Sequence, residues 1–101
     1  MITRIWHGIT KAKDADSYLN YIRETGLKDY LSTPGNISAK ILRRKENEVC
    51  HFITISEWED LESIQKFAGN DYEKAKYYPE DEKYLVEFED KVNHYETYTA
   101  S

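Results

Sequence analysis

The chain has 101 residues, 40% of them hydrophobic and 33% charged, with a formal net charge of -5. That length suits one domain, residues 1–101, with a modest core, and the composition excludes a disordered chain. The acidic balance, with no basic cluster beyond Arg43-Arg44-Lys45, argues against nucleic acid. The single cysteine, Cys50, forbids an internal disulfide, and the lack of a signal core or membrane-length apolar run predicts a soluble, cytoplasmic protein.

Ile2 to Thr10 alternates Ile5, His7 and Ile9 against Arg4, Trp6 and Gly8. Neither set is cleanly polar, which predicts a strand covered on both faces. Gly8 marks a place where a backbone or ligand comes close. Asp14 and Asp16 then open a helix whose stripe is Ala15, Tyr18, Leu19 and Ile22, with Gly26 as its end and a further turn over Leu27 to Leu31. Ser32 to Asn36 is a turn, with Pro34 fixing φ and Gly35 taking the left-handed conformation.

Strands are predicted over Ile37 to Lys45 and Glu48 to Trp58, joined as a hairpin. The second again has two apolar faces: Val49, His51, Ile53 and Ile55 against Cys50, Phe52, Thr54 and Trp58. Arg43 and Arg44 fall on opposite faces of their strand, and at least one is expected in a solvated or cross-dimer ion pair. Asp60 caps a helix with Leu61, Ile64, Phe67 and Ala68 inward, and Gly69 ends it. Asn70 and Glu73 have capping-box spacing, predicting a second short helix up to the Tyr77-Tyr78-Pro79 corner. Pro79 to Glu82 can begin one more turn, and the charges from Glu80 to Lys83 read as a solvated face. Val92 to Thr99 is the last strand.

The order is βαββαβ, a ferredoxin-like α+β fold with one antiparallel sheet and helices on one face. So short a chain cannot cover both sheet faces with its own helices, so a homodimer is expected, the paired sheets forming a dimeric α/β barrel. The broken helix from Asp60 to Tyr78 cannot lie flat along the sheet, which predicts a pocket beneath it lined by Trp6 or His7, Trp58 and Tyr77. Tyr78 shares the corner with Tyr77. If the strands bring two of His7, His51 and His94 together, the pair can do general-base chemistry; otherwise the three are satisfied histidines of the sheet or interface. Trp58 and Trp6 likewise read as core or as pocket wall, and Cys50 as a buried thiol.

Six stretches, RIWHGIT (Arg4 to Thr10), PGN (Pro34 to Asn36), LRR (Leu42 to Arg44), HFITISEWED (His51 to Asp60), FAGNDYEKAKYYPED (Phe67 to Asp81) and VNHYE (Val92 to Glu96), carry a resemblance to the antibiotic biosynthesis monooxygenase (ABM) family. The resemblance implies a dimeric α/β barrel with a small-molecule pocket in each protomer, between the sheet and the second helix. It implies oxidation of an aromatic or quinone-like substrate with no metal, flavin or other cofactor, the substrate acting as reductant. On that footing His7, Tyr77 and His94 are candidate catalytic residues, and Trp6, His51, Trp58 and Tyr78 candidate ligand-binding residues. A non-catalytic ligand-binding or sensing dimer is the alternative. The family's haem-degrading branch has a Trp here, a second Trp nine residues on and a His nineteen on. Counting from Trp58 gives Phe67 and Tyr77 at those places, so haem degradation by that route is not expected.

Overall fold

A computed structural model describes residues 1–87 and 89–100. Strand β1 (Ile2–Lys11) leads through a 3₁₀ turn (Ala12–Asp14) into helices α1 (Ala15–Glu24) and α2 (Gly26–Ser32). There follow β2 (Asn36–Glu46), β3 (Val49–Trp58), α3 (Leu61–Ala68), α4 (Asp81–Tyr84), β4 (Leu85–Glu87) and β5 (Asn93–Glu96). The sheet runs β2-β3-β1, with β4 and β5 end to end along the free edge of β1 and every pairing antiparallel. This is the ferredoxin-like α+β arrangement.

The β1–β3 ladder is unbroken from Ile2 opposite Trp58 to Lys11 opposite Val49. Strict alternation therefore sends Arg4, Trp6, Gly8 and Thr10 with Cys50, Phe52, Thr54, Ser56 and Trp58 to the face under the helices, all of them buried. Two clusters share this face. One gathers Trp6, Tyr18, Ile22, Phe52 and Leu85; the other gathers Tyr30, Trp58, Ile64 and Phe67. Ile5, His7, Ile9, Val49, His51, Ile53 and Ile55 occupy the opposite face and are only half-buried, because none of the described elements crosses it.

Local chemistry explains most element ends. Asp60 Oδ1 accepts from the Ser63 N–H at 2.8 Å and caps α3. Asn47, at φ 57°, takes the left-handed position of the two-residue turn between β2 and β3. Gly35, at φ 93°, could carry no side chain, since a Cβ there would stand 1.9 Å from Ser63 Oγ.

Several expectations are corrected. Gly26 does not end the first helix but begins α2. The break falls at Thr25, whose hydroxyl donates to the Tyr21 carbonyl at 2.7 Å and competes with the helical ladder. No helix starts at Asn70, and none forms between it and the Tyr77-Tyr78-Pro79 corner. The Ala75 N–H donates to Asp90 O and the Val92 N–H to Glu73 O, both at 2.8 Å, so a long-range pairing satisfies the backbone that a capping box would have wound. The last strand is shorter than predicted, and β4 precedes it unforeseen. Leu61 at the start of α3 is exposed rather than inward. Asp81, in the supposedly solvated run, is 5% exposed. Arg43 and Arg44 do face opposite ways, each with a partner in this chain, Asp16 at 2.8 Å and Glu46 at 2.7 Å. Cys50 is buried. Among the described residues no helix is long and apolar enough to cross a membrane.

Candidate functional site

The break between α1 and α2 leaves a gap over the buried sheet face, and the irregular chain from 76 to 81 closes it. The resulting inner cavity is small, about 30 Å³. Arg4, Trp6 and Thr54 form its floor; Tyr18, Ile22 and Tyr30 come from the two helices; Phe67, Tyr77, Tyr78 and Asp81 complete it. Tyr77 and Tyr78 also line an outer depression of about 590 Å³ with Pro79, Glu82 and Asp90. These two tyrosines are therefore the partition between the inner cavity and the surface.

Both tyrosines are held by polar contacts. Tyr77 Oη accepts from Trp6 Nε1 at 3.3 Å and donates to the Glu89 carbonyl at 2.5 Å. Tyr78 Oη donates to Asp29 Oδ2, which Lys76 Nζ also reaches at 2.7 Å, strapping the corner onto α2. Burial works to raise the Asp29 carboxyl, but the hydrogen bonds from Lys76 and Tyr78 outweigh it and hold the group below its usual range. Burial raises the phenols of Tyr18, Tyr30, Tyr77 and Tyr78 above the ordinary tyrosine value, so all four remain neutral donors at neutral pH.

Two ionisable groups stand out against this aromatic wall. Asp81 accepts from Tyr18 Oη at 2.9 Å and from the Tyr78 N–H at 2.5 Å, and burial pushes its carboxyl above the usual range despite those bonds. Arg4 is 1% exposed, lies 5.4 Å from the centre of the Phe67 ring, and is held below its ordinary value by burial. No sequence signal separated Arg4 from an ordinary strand residue. Asp81 could have been suspected only as the one acidic residue able to turn inward just behind the Pro79 corner.

Of the candidates named from sequence, Trp6, Tyr77 and Tyr78 meet at this cavity and the others do not. Trp58 is fully buried in the second cluster, its Nε1 donating to Ser56 Oγ at 2.9 Å with Tyr30 and Phe67 packed beside it. His94 is behind Arg4, in hydrogen-bond contact through Nε2 at 3.1 Å and with Tyr72 packed edge-on. Burial first, and then the adjacent guanidinium, keep His94 below the ordinary histidine value. His94 is thus neutral and accepts at Nε2, so its proton is on Nδ1.

His7 and His51 do come together, as the pairing condition required, but on the open face. Neighbours along a strand point to opposite sides, so His7 cannot share the cavity with Trp6. The two rings stack at 5.3 Å with His7 Nε2 to His51 Nδ1 at 3.1 Å; Glu89 reaches His7 Nδ1 at 2.7 Å and Glu46 reaches His51 Nε2 at 3.4 Å. Among the described residues, no three His, Cys, Asp or Glu are grouped to hold a metal ion.

No protein-family model matches the sequence. No curated protein matches it either. Solved structures match over the whole chain. A protein from Nitrosomonas europaea described as a candidate antibiotic biosynthesis monooxygenase superposes with a TM-score of 0.67 at 13% identity, covering 96% of this chain and 98% of its own. A Bacillus cereus protein described in the same way gives 0.67 at 13% identity, with 99% and 97% covered. The haem degrader MhuD of Mycobacterium tuberculosis, with two haems bound in its active site, gives 0.59 at 17% identity, with 100% and 99% covered. The chain has the ferredoxin-like fold of the antibiotic biosynthesis monooxygenase structures.

Proposed function

We propose that the chain is an ABM-type small-molecule enzyme that takes a flat aromatic or quinone-like compound between the sheet and the Tyr77-Tyr78 corner and oxidises it without a bound cofactor. The observation that carries this reading is the composition of the inner cavity. A buried carboxylate, Asp81, faces the same space as Trp6, Tyr18, Tyr30, Phe67, Tyr77 and Tyr78. Aromatic walls with a few placed polar groups are what a small-molecule site is built from. A carboxyl raised by burial is a better proton acceptor than a solvated one. In this reading Asp81 takes a proton from the substrate, and the substrate anion gives its electron pair to dioxygen. The ring carbon bonds the dioxygen as a peroxide, which takes the proton back from Asp81. O–O cleavage with loss of the hydrogen on that carbon then releases water and leaves a carbonyl on the ring. Tyr77 and Tyr78 orient the ring, and their displacement joins the inner cavity to the outer depression so that a ring can be admitted.

The second reading, a non-catalytic binding or sensing dimer, is favoured by the position of the histidines. Neither His7 nor His51 reaches the cavity, and His94 is occupied by Arg4. In both readings the open sheet face is covered by a second copy of the chain, a reading supported by its half-buried isoleucines and by Leu42, which is 45% exposed. Haem breakdown is not part of either reading, since Phe67 and Tyr77 stand where that chemistry uses Trp and His.

Titration with hydroxyquinones, followed by tryptophan emission, tests the site. Trp6 lines the cavity and Trp58 does not, so quenching should be saturable in wild type and lost in Trp6→Phe. Tyr77→Ala should weaken binding about tenfold, the worth of one good polar and stacking contact. Oxygen uptake that is abolished in Asp81→Asn while binding persists supports the enzyme. Binding without oxygen uptake leaves the sensing dimer.

A further inference from the structure

We infer that the inner cavity selects a small aromatic anion, a carboxylate or phenolate oxygen on a flat ring, with the Arg4 guanidinium as its counter-ion. The inference rests on the cavity reading above and specifies the ligand's charge. Arg4 is the most buried cation described, and among the described residues it has no carboxylate within ion-pair distance. The exposed and half-exposed cations Arg43, Arg44 and Lys76 each have one. Surface charges, which gain little from pairing, are paired here, whereas the charge that most needs compensation is not.

Its neighbours offer dipoles and the face of the Phe67 ring, with no negative charge among them. Nη1 donates to the Tyr72 carbonyl at 2.6 Å and contacts His94 Nε2 at 3.1 Å; Nη2 donates to the Lys74 carbonyl at 3.3 Å. The Nε–H is buried and has no hydrogen-bond partner among the described residues. That Nε–H is the donor left for a ligand oxygen, since the Tyr30 hydroxyl also accepts from the guanidinium. Tyr30 and Tyr78 also act on Arg4, and burial keeps both phenols protonated, so neither supplies a negative charge. Asp81 shares the cavity, but it is turned toward Tyr18 and the Tyr78 N–H. Each of its oxygens accepts one hydrogen bond there and keeps a second lone pair for the base role. A buried guanidinium left in this state is unfavourable, and a ligand oxygen that supplied the missing charge and the missing acceptor would offset part of that. The outer depression carries Glu82 and Asp90, so an anion gains nothing on approach. The selection is made inside, at Arg4.

Benzoate and its neutral isostere benzamide, titrated calorimetrically at neutral pH with Trp6 emission followed in parallel, test the inference. Benzoate should bind at least about tenfold more tightly than benzamide in wild type, as expected for a charge-assisted hydrogen bond. Arg4→Gln should abolish that preference while leaving benzamide within about threefold of its wild-type affinity, and Arg4→Lys should retain part of it. Equal affinities for the two probes in wild type would overturn the role of Arg4 and leave the cavity reading standing. If neither probe perturbs Trp6, the cavity reading falls and this inference with it. Should Arg4→Gln fail to fold, the wild-type ratio and the Arg4→Lys ratio still decide.

Discussion

The two faces of the sheet are built from the same alternation and do different work. On one, Trp6, Phe52 and Trp58 are sealed by helices, and polar groups such as Arg4, Thr54 and Ser56 are buried among them. On the other, Ile5, Ile9, Ile53 and Ile55 are half-covered by their own neighbours and surround the His7–His51 stack. The covered face can afford polar chemistry because surrounding atoms hold each group in place. The open face offers mostly side-chain area, which is what an interface uses. An apolar strand pattern thus announces burial without saying whether the chain's own helices or another molecule provides it.

The largest effect separates the faces directly. Phe52 is fully buried with Tyr18 at 5.0 Å edge-on, so Phe52→Ala should cost about 3–5 kcal/mol in denaturant unfolding. Its sequence neighbour Ile53, on the open face, should act through association instead. Ile53→Asp should raise the dimer dissociation constant about thirtyfold or more, the size of an interface hot spot, with sedimentation equilibrium as the readout. A wild-type chain that sediments as a stable folded monomer at micromolar concentration would break the comparison.

A smaller effect comes from Gly8, where a Cβ would stand 2.4 Å from the Trp6 ring. The close approach expected at this glycine is made by an indole in the same strand. Gly8→Ala should displace that ring at a cost of about 1–3 kcal/mol by overpacking. It should also shift tryptophan emission and weaken ligand quenching, without changing association.

The smallest effect is a pH slope. His94 titrates below its ordinary 6.5 in the folded state, so the unfolded chain takes the proton first as pH falls. Its contribution to stability is complete above that ordinary value and is lost as pH drops through the lower folded value. Asp81 has the opposite sign: its share is full below its ordinary 3.8 and is lost as pH rises through the higher folded value. The urea midpoint of wild type should therefore fall between about pH 7 and pH 5 more steeply than that of His94→Gln, which can still accept from Arg4. Parallel slopes would show that His94 is not held neutral by burial and Arg4.

Much of the fold was legible because its signals are local. The Asp60 cap, the Gly69 end, the Pro34-Gly35 turn and the two-faced β1 and β3 each depend on residues within a few positions of one another. The failures share one cause. Asn70 and Glu73 have helix-start spacing, but the backbone of Glu73 and Ala75 pairs with Val92 and Asp90 instead. Asp81 sits in a run of charges, but Tyr18, over sixty positions away, holds it inside.

The sequence by itself determined that β1 and β3 each have two apolar faces, that helices cover one of them, and that an aromatic corner forms at Tyr77-Tyr78-Pro79. Periodicity and turn chemistry are properties of neighbouring residues and survive without a tertiary structure. Only the tertiary structure decided which face is covered, and so separated Trp6 from His7 and Phe52 from Ile53. It also decided that Arg4 is buried beside Tyr30 and Phe67 with no counter-charge among the described residues. That depends on which backbone carbonyls and rings arrive from 26 to 90 positions away, and the energies that fix such contacts belong to pairs no local pattern records.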